Sequence, residues 1–384
     1  MNASVITFHR ATSYGAVLQA YAIQRILGRY AVVSELVDFI PEDDFYRRRC
    51  ATGLKNSAWN KNTLTRFIYR AIKAFDFHQN LKVFDSFVDR QLSVSKSKYR
   101  SLVDLAKLPP RADIYITGSD QVWNPDITQS CHDAFFWSFL PDDSVKIALS
   151  SSFGKTEFTE SEMQHMCTYL SSYTLISVRE QSAVSMLESA GLEDAVWIQD
   201  PTLLIPKKEW EAFAQEINTL SKDYVLLFQL NNDVSVLEYA RTYAKRKELP
   251  LLKICTSVRA VYGGGKCVYC PSPEQWVALI RSASSIITDS FHGTAFCINL
   301  NKQFLTVLPP RRTTRLTSLL EVMGLTDRIL TNADDYSVAD HPIDYDQVNH
   351  ILETERRKAD AFLQKALNLQ EVQNDESYSD LKQS

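Results

Sequence analysis

Several familiar signatures are missing from this chain, and each absence removes a class of function. Gly15 stands alone in the loop after the first β-rich run, so the G-x-G-x-x-G fingerprint of a dinucleotide site is not present. No G-x-x-x-x-G-K-[ST] run supplies a phosphate-cradling P-loop, and the serines after Leu149 lack the G-x-S-x-G setting of a nucleophile elbow. No H-E-x-x-H or other paired-histidine spacing points to a metal, and no metal is assigned. No apolar run approaches the roughly 18 residues of a membrane span, and residues 1–8 are too short and polar for a secretory leader. The expectation is a cytoplasmic protein. Seven cysteines without framework spacing fit reduced thiols in that compartment. Cys267 and Cys270 form the only C-x-x-C pair, and with no second pair they read as two small residues in a loop rather than a zinc or redox site. A net charge of −4 gives no global case for nucleic acid, and no such partner is expected.

What is present is an ordinary globular composition, 45% hydrophobic and 23% charged, over 384 residues, enough for two domains. Residues 4–8 read as a strand, 16–27 as a helix ending at Gly28, and 31–39 as the next strand, one βαβ unit with a parallel pair. Similar alternation resumes near residue 110, with strands at 113–117, 146–150, 175–178 and 195–198 and helices at 160–170 and 181–190. A second series follows a polar helix at 207–220: strands at 224–230, 251–255, 285–288 and 304–308, helices at 234–247, 273–282, 294–300 and 314–323. The pattern predicts an α/β protein of two Rossmann-like domains, residues 1–205 and 206–345, with a C-terminal helix over 346–370 and a frayed tail over 371–384.

One stretch departs from the alternation. Residues 46–82 carry nine basic side chains and a single acid, Asp76, a local charge of +8 that leaves −12 elsewhere. Leu64, Phe67, Ile68, Ile72 and Phe75 fall near one helical face, so a basic helical insertion over about 46–100 is expected in the N-terminal domain. Two readings compete. Either the apolar face packs on its own domain, or the segment lies on an anionic membrane surface.

Open parallel sheets bind ligands at the carboxyl ends of their strands, and three polar clusters fall there. After residues 113–117 comes a loop with Ser119, Asp120, Gln121 and Asn124, which offers hydroxyl, carboxylate and amide groups but equally reads as an Asx turn and helix cap. Arg179 ends another strand. Its guanidinium suits a bidentate grip on a carboxylate or phosphate, or an ion pair with neighbouring Glu180 or another acid. Asp289, Ser290, His292, Gly293 and Thr294 lie between an apolar strand and a helix, where the Gly293 and Thr294 amides would form an anion site at a helix N-terminus.

Taken with Ile6-Thr7-Phe8-His9 and Tyr14-Gly15-Ala16-Val17-Leu18-Gln19-Ala20-Tyr21, the Gly118-Ser119-Asp120-Gln121-Val122-Trp123-Asn124-Pro125 run, Ser177-Val178-Arg179-Glu180, Asp200-Pro201-Thr202 and Asp289-Ser290-Phe291-His292-Gly293-Thr294 appear in an order that resembles the polysaccharide pyruvyltransferase family over residues 4–330. Ser13 stands where that family more often has asparagine, and the basic stretch is outside the shared pattern. The resemblance implies a GT-B-like fold and transfer of a pyruvyl group from phosphoenolpyruvate to a hexose of a surface polysaccharide or its lipid-linked precursor, forming a cyclic ketal. Phosphoenolpyruvate is then the donor substrate, with no separate cofactor, and a peripheral position at the inner membrane face follows from a lipid-linked acceptor. On this reading His292 is the general acid, Arg179 the anion clamp, and Asp120 or Asp289 the base. Ser13, Tyr14, Gly15, Ser119, Gln121, Asn124, Ser290, Gly293 and Thr294 are expected to contact substrate, with Arg312 and Arg315 as secondary anion contacts. Two other functions fit the same residues: a nucleotide-sugar glycosyltransferase on this fold, and a non-catalytic glycan- or lipid-phosphate-binding protein.

Overall fold

Two all-parallel sheets carry the structure. A computed structural model describes residues 1–41, 61–215, 223–231, 233–261, 264–309, 314–332 and 334–380. The first sheet has seven strands in the order β3-β2-β1-β4-β5-β6-β7: β1 (Asn2–Ile6), β2 (Val33–Phe39), β3 (Val94–Tyr99), β4 (Ile114–Thr117), β5 (Lys146–Ser151), β6 (Leu175–Val178) and β7 (Val196–Trp197). The second has five, in the order β10-β9-β8-β11-β12: β8 (Val225–Phe228), β9 (Leu251–Cys255), β10 (Lys266–Tyr269), β11 (Ser285–Thr288) and β12 (Gln303–Thr306). Each strand order reverses once, between β1 and β4 and between β8 and β11, and those are the crevices where doubly wound sheets bind ligands. The short, fully buried strand Val225–Phe228 is a continuous apolar run because helices cover both faces, and Leu251–Cys255 is broken only by Lys253, whose buried Nζ donates to the Ala260 carbonyl at 3.0 Å.

Local departures from the sequence reading have physical causes. The first helix, Tyr14–Arg29, runs through Gly28, since its buried face continues to Ile26 and Leu27, and the left-handed turn falls on Ala31 (φ 56°). The strand Val94–Tyr99 is absent from the sequence reading, although its alternating Val-Ser-Lys-Ser-Lys-Tyr suits an edge strand; it pairs with β2. Cys267 likewise sits in the edge strand Lys266–Tyr269 and not in a loop. The C-terminal helix Tyr345–Asp380 extends past residue 370. It buries Val348, Leu352, Ala359 and Phe362 in the largest core cluster and returns to the N-terminal domain, where Arg356 Nε donates to the Leu203 carbonyl at 3.1 Å. No helix among the described residues is long and apolar enough to cross a membrane.

From residue 61 onward the basic segment belongs to the crossover between β2 and β3. Residues 42–60, with Arg47, Arg48, Arg49 and Lys55, lie outside the described residues. From there the helix Thr63–Gln91 connects β2 to β3, opened by an Asn62–Thr65 capping box. Its buried side chains are Tyr69, Asp76, Asn80, Phe84, Phe87 and Val88, so the stripe read from sequence is not the packing face. Asp76, the one acid of the segment, is the anchor: its carboxylate accepts from Ser257 Oγ and Val258 N, both at 2.8 Å, and from the Tyr269 hydroxyl at 2.9 Å. Asn80 adds a bond to the Thr256 carbonyl at 2.8 Å. These contacts tie the N-terminal domain to the ends of β9 and β10. Nearby, Tyr14 stacks on Trp276 at 5.2 Å and packs on Phe84 and Phe228, so one apolar core runs through both domains.

Asp76→Ala removes three charge-assisted bonds and strands the buried Val258 amide, each such bond being worth about 1.5–3 kcal/mol. Urea unfolding should show a loss of about 3 kcal/mol, whereas Arg70→Ala, on an exposed position, should stay within about 0.5 kcal/mol. Equal midpoints for the two variants would show that the anchor does not hold the domains together.

Candidate active site

The carboxyl ends of four strands deliver polar side chains to one region. Arg179 follows β6, Asp200 follows β7, Ser119 and Asp120 follow β4, and His292 lies in the first turn of the helix Phe291–Asn299 after β11. Arg179 Nη1 donates to Asp200 Oδ2 at 2.7 Å and to Ser119 Oγ at 3.3 Å. Its Nη2 is 3.9 Å from Asp120 and its Nε 3.7 Å from Glu180, and the guanidinium carbon sits 4.9 Å from the centre of the Phe291 ring. The side chain is 1% exposed, and neither Nε nor Nη2 has a hydrogen bond of its own among the described residues. Burial works against its charge, but Asp200, Glu180 and Asp120 outweigh it and raise the Arg179 pKa.

Asp200 links the arginine to the histidine. It caps the short helix Pro201–Leu204 by accepting from Thr202 N at 2.9 Å, accepts from Thr202 Oγ1 at 2.7 Å, and lies 3.5 Å from His292 Nε2. Burial alone would raise its pKa; His292, Arg179 and Thr202 together push it far below the carboxylate range. It therefore stays ionised at any working pH. The face of the His292 ring packs on the backbone of Gly15, where a Cβ would sit 2.0 Å from Nδ1 and 2.4 Å from both Cγ and Cε1. Glycine is needed there by close approach: two helix N-termini, those of Tyr14–Arg29 and Phe291–Asn299, meet at the imidazole.

Other residues singled out from sequence have different surroundings. The helix after β11 starts at Phe291, three residues before the expected start, so Ser290 is its N-cap and its Oγ accepts from Gly293 N at 3.2 Å. Thr294 N donates to the Ser290 carbonyl and Thr294 Oγ1 bonds Thr306. Both amides expected to receive phosphate are thus spent on the helix itself. Asp289 accepts from Leu230 N at 2.6 Å and Asn231 N at 2.9 Å, fastening the loop after β8. Burial raises its pKa, with those amides pulling the other way. Tyr14 is buried between the domains with its hydroxyl donating to the Pro271 carbonyl at 2.8 Å. Asn124 caps the helix Pro125–Thr128 through Asp126 N. Ser119 is fully buried in the Arg179–Asp200 network.

Three remain at the accessible rim. Asp120, with φ 77°, holds a left-handed conformation rare for a non-glycine residue, and its side chain is 16% exposed. Ser13 is an exposed N-cap whose side chain makes no capping bond. Arg315, half-buried, is 5.6 Å from the Phe291 ring centre and donates to the Gln121 amide oxygen at 3.1 and 3.3 Å when that amide is turned toward it. Arg312 lies outside the described residues. Sequence reasoning passed over Asp200 as a site residue, although the Asp200-Pro201-Thr202 run marks a strand-end carboxylate.

Two Rossmann-type sheets facing a shared strand-end site define a GT-B transferase architecture. The chain is similar in fold to the UDP-GlcNAc 2-epimerase of Methanocaldococcus jannaschii in complex with UDP-GlcNAc and UDP, at 12% identity and TM-score 0.50, over 93% of each chain. It is similar also to the S. aureus MnaA–UDP co-structure, at 12% identity and TM-score 0.51, over 91% of this chain and 90% of that one. No curated protein matches the chain. The polysaccharide pyruvyl transferase model matches residues 14–309, and the chain belongs to that family. It is accordingly a transferase of pyruvyl groups in polysaccharide biosynthesis.

Gly15→Ala tests the packing of His292. The new methyl must push the ring aside, and a misplacement of about 1 Å can cost about 10²-fold in turnover. Pyruvyl transfer should fall by about that factor while thermal unfolding shifts little; wild-type turnover would show that the ring position is not critical.

Proposed function

We propose that the enzyme moves the pyruvyl group of phosphoenolpyruvate onto two hydroxyls of one hexose in a lipid-linked or polymeric glycan, at the inner face of the membrane, closing a cyclic ketal and releasing phosphate. The observation that carries this reading is the relay Arg179–Asp200–His292, an imidazole held by a permanently ionised carboxylate beside two helix N-termini.

His292 delivers a proton to the methylene carbon of the enol ester, which becomes a methyl group. C2 is then an oxocarbenium-like electrophile. Asp200 orients the ring and offsets the charge of the imidazolium before transfer, and Arg179 keeps Asp200 in place rather than gripping the donor itself. The first sugar hydroxyl adds to C2 and gives its proton to Asp120, the carboxylate that is not tied up in loop amides as Asp289 is. The C–O bond to phosphate then breaks, the second hydroxyl closes the ring, and phosphate leaves. Of the two hydroxyl protons, one makes good the proton spent by His292 and the other departs with phosphate.

Anionic groups of the donor are met by Arg315 and by the positive ends of the helices Tyr14–Arg29 and Phe291–Asn299. Phe291, with both guanidinium carbons within 6 Å of its ring centre, holds Arg179 and Arg315 in register.

Incubation with phosphoenolpyruvate and a panel of galactose-, mannose- and N-acetylhexosamine-terminated acceptors should give a product mass matching one ketal, with phosphate release that requires both substrates. His292→Ala should lower turnover by about 10²–10⁴. Arg179→Lys keeps the charge but loses the planar fork, and a drop in turnover with little change in KM for phosphoenolpyruvate is expected from a positioning role. Binding of a nucleotide sugar in place of phosphoenolpyruvate, or full activity in His292→Ala, would overturn the scheme.

A further inference from the structure

The first half of the helix Thr63–Gln91 points its apolar side outward. Leu64 is 67% exposed, Phe67 70%, Phe75 50% and Ile68 38%, and Ala71 between them is exposed too. Positions 64, 67, 68, 71 and 75 share one helical face, so these side chains form a continuous stripe and not a scatter. Lys61 and Arg70 flank it, Arg66 and Lys73 stand on the far side of the helix, and residues 61–75 contain no acid. The next residue, Asp76, is the first carboxylate, and it is buried and bonded to the other domain. The stripe is therefore an unrelieved basic and aromatic surface. Single exposed hydrophobic residues need no explanation, but a rimmed stripe of them marks an interaction site.

We propose that this face docks on an anionic phospholipid surface. The inference rests on the reading above that the acceptor is held on a lipid. An apolar strip bordered by arginine and lysine fits the headgroup boundary of such a membrane, with the rings among the acyl chains and the cations at the phosphates. A second copy of the chain fits poorly, because a two-fold contact through the stripe would offer the flanking Lys61 and Arg70 no carboxylate to pair with. Placement agrees with function. The Asp76 anchor lies past the carboxyl ends of β9 and β10, the same end of the sheet from which β11 presents Asp289 and His292. Leu64 is twelve residues before Asp76, about 18 Å along the axis at 1.5 Å per residue, so the stripe projects outward on the side of the site.

The test uses the full chain with vesicles of phosphatidylcholine alone or with phosphatidylglycerol added, at low and high salt. The protein should sediment only with the anionic vesicles and come off as salt rises. K61Q/R70Q should weaken partitioning by about 30-fold. F67S/F75S should lose binding at every salt concentration, and both variants should keep wild-type transfer to a soluble acceptor. Equal sedimentation with neutral vesicles, or unchanged binding in both variants, overturns the proposal. So does a vesicle-free dimer that F67S/F75S converts to monomer, since the face would then be a contact between copies. If wild-type protein binds anionic vesicles but makes no ketal, the catalytic reading fails and the docking surface stands.

Discussion

The buried pair of Arg179 and Asp200 organises the site. An ion pair out of contact with water is costly to assemble, and losing either partner leaves a stranded charge worth about 3–5 kcal/mol of destabilisation. The surrounding chain is built to prevent that. Ser119, Thr202, Glu180 and the short helix Pro201–Leu204 each bring a dipole or charge to the pair, and three strand ends must be in register for it to form. His292 then meets Asp200 from the other domain at 3.5 Å, so the pair that fastens the first sheet also fixes the imidazole of the second.

That dependence explains why polar strand ends are so densely bonded. Ser150 donates to the Gln199 carbonyl, Ser151 to the carbonyls of Thr117 and Gly118, and Ser152 to Glu180. None faces a substrate. They satisfy backbone groups at the edge of a buried sheet, where an unpaired carbonyl or carboxylate would be expensive, and they leave Asp120, His292, Ser13 and Arg315 at the rim. A second pair of the same kind, Asp38 with Arg10 and His9, closes the ends of β1 and β2; burial pushes Asp38 up, and His9 and Arg10 bring its pKa down to about 2.

Much of this architecture was legible in the chain. Apolar runs of four or five residues followed by Ser, Asp or Arg identified most of the parallel strands and put the site at their ends. Edge strands were harder: Val94–Tyr99 and Lys266–Tyr269 are short and polar on one side, so periodicity over so few residues does not separate them from loops. The start of the helix Phe291–Asn299 was misplaced because Ser290 and Thr294 are both acceptable caps, and only packing chooses between them. With that choice went the fate of the Gly293 amide. Which carboxylate would meet Arg179 was equally beyond local sequence, since Asp200 is distant along the chain and Glu180 adjacent. The apolar face of the basic helix was inverted for a related reason: Tyr69, Asp76, Asn80 and Phe84 lie on the opposite side, and two polar residues among them hide the periodicity of the buried face.

The stacked Tyr14 and Trp276 rings lie within a core to which the first helix, the helix Pro273–Ser282 and the returning C-terminal helix all contribute. Neither half can thus be cut out and expected to stand alone. Each would expose the apolar surface its partner covers. A chimera that exchanges N-terminal domains between relatives would have to carry the helices Tyr14–Arg29, Thr63–Gln91 and Tyr345–Asp380 as one block, so in this fold the unit of inheritance is the seam rather than the domain.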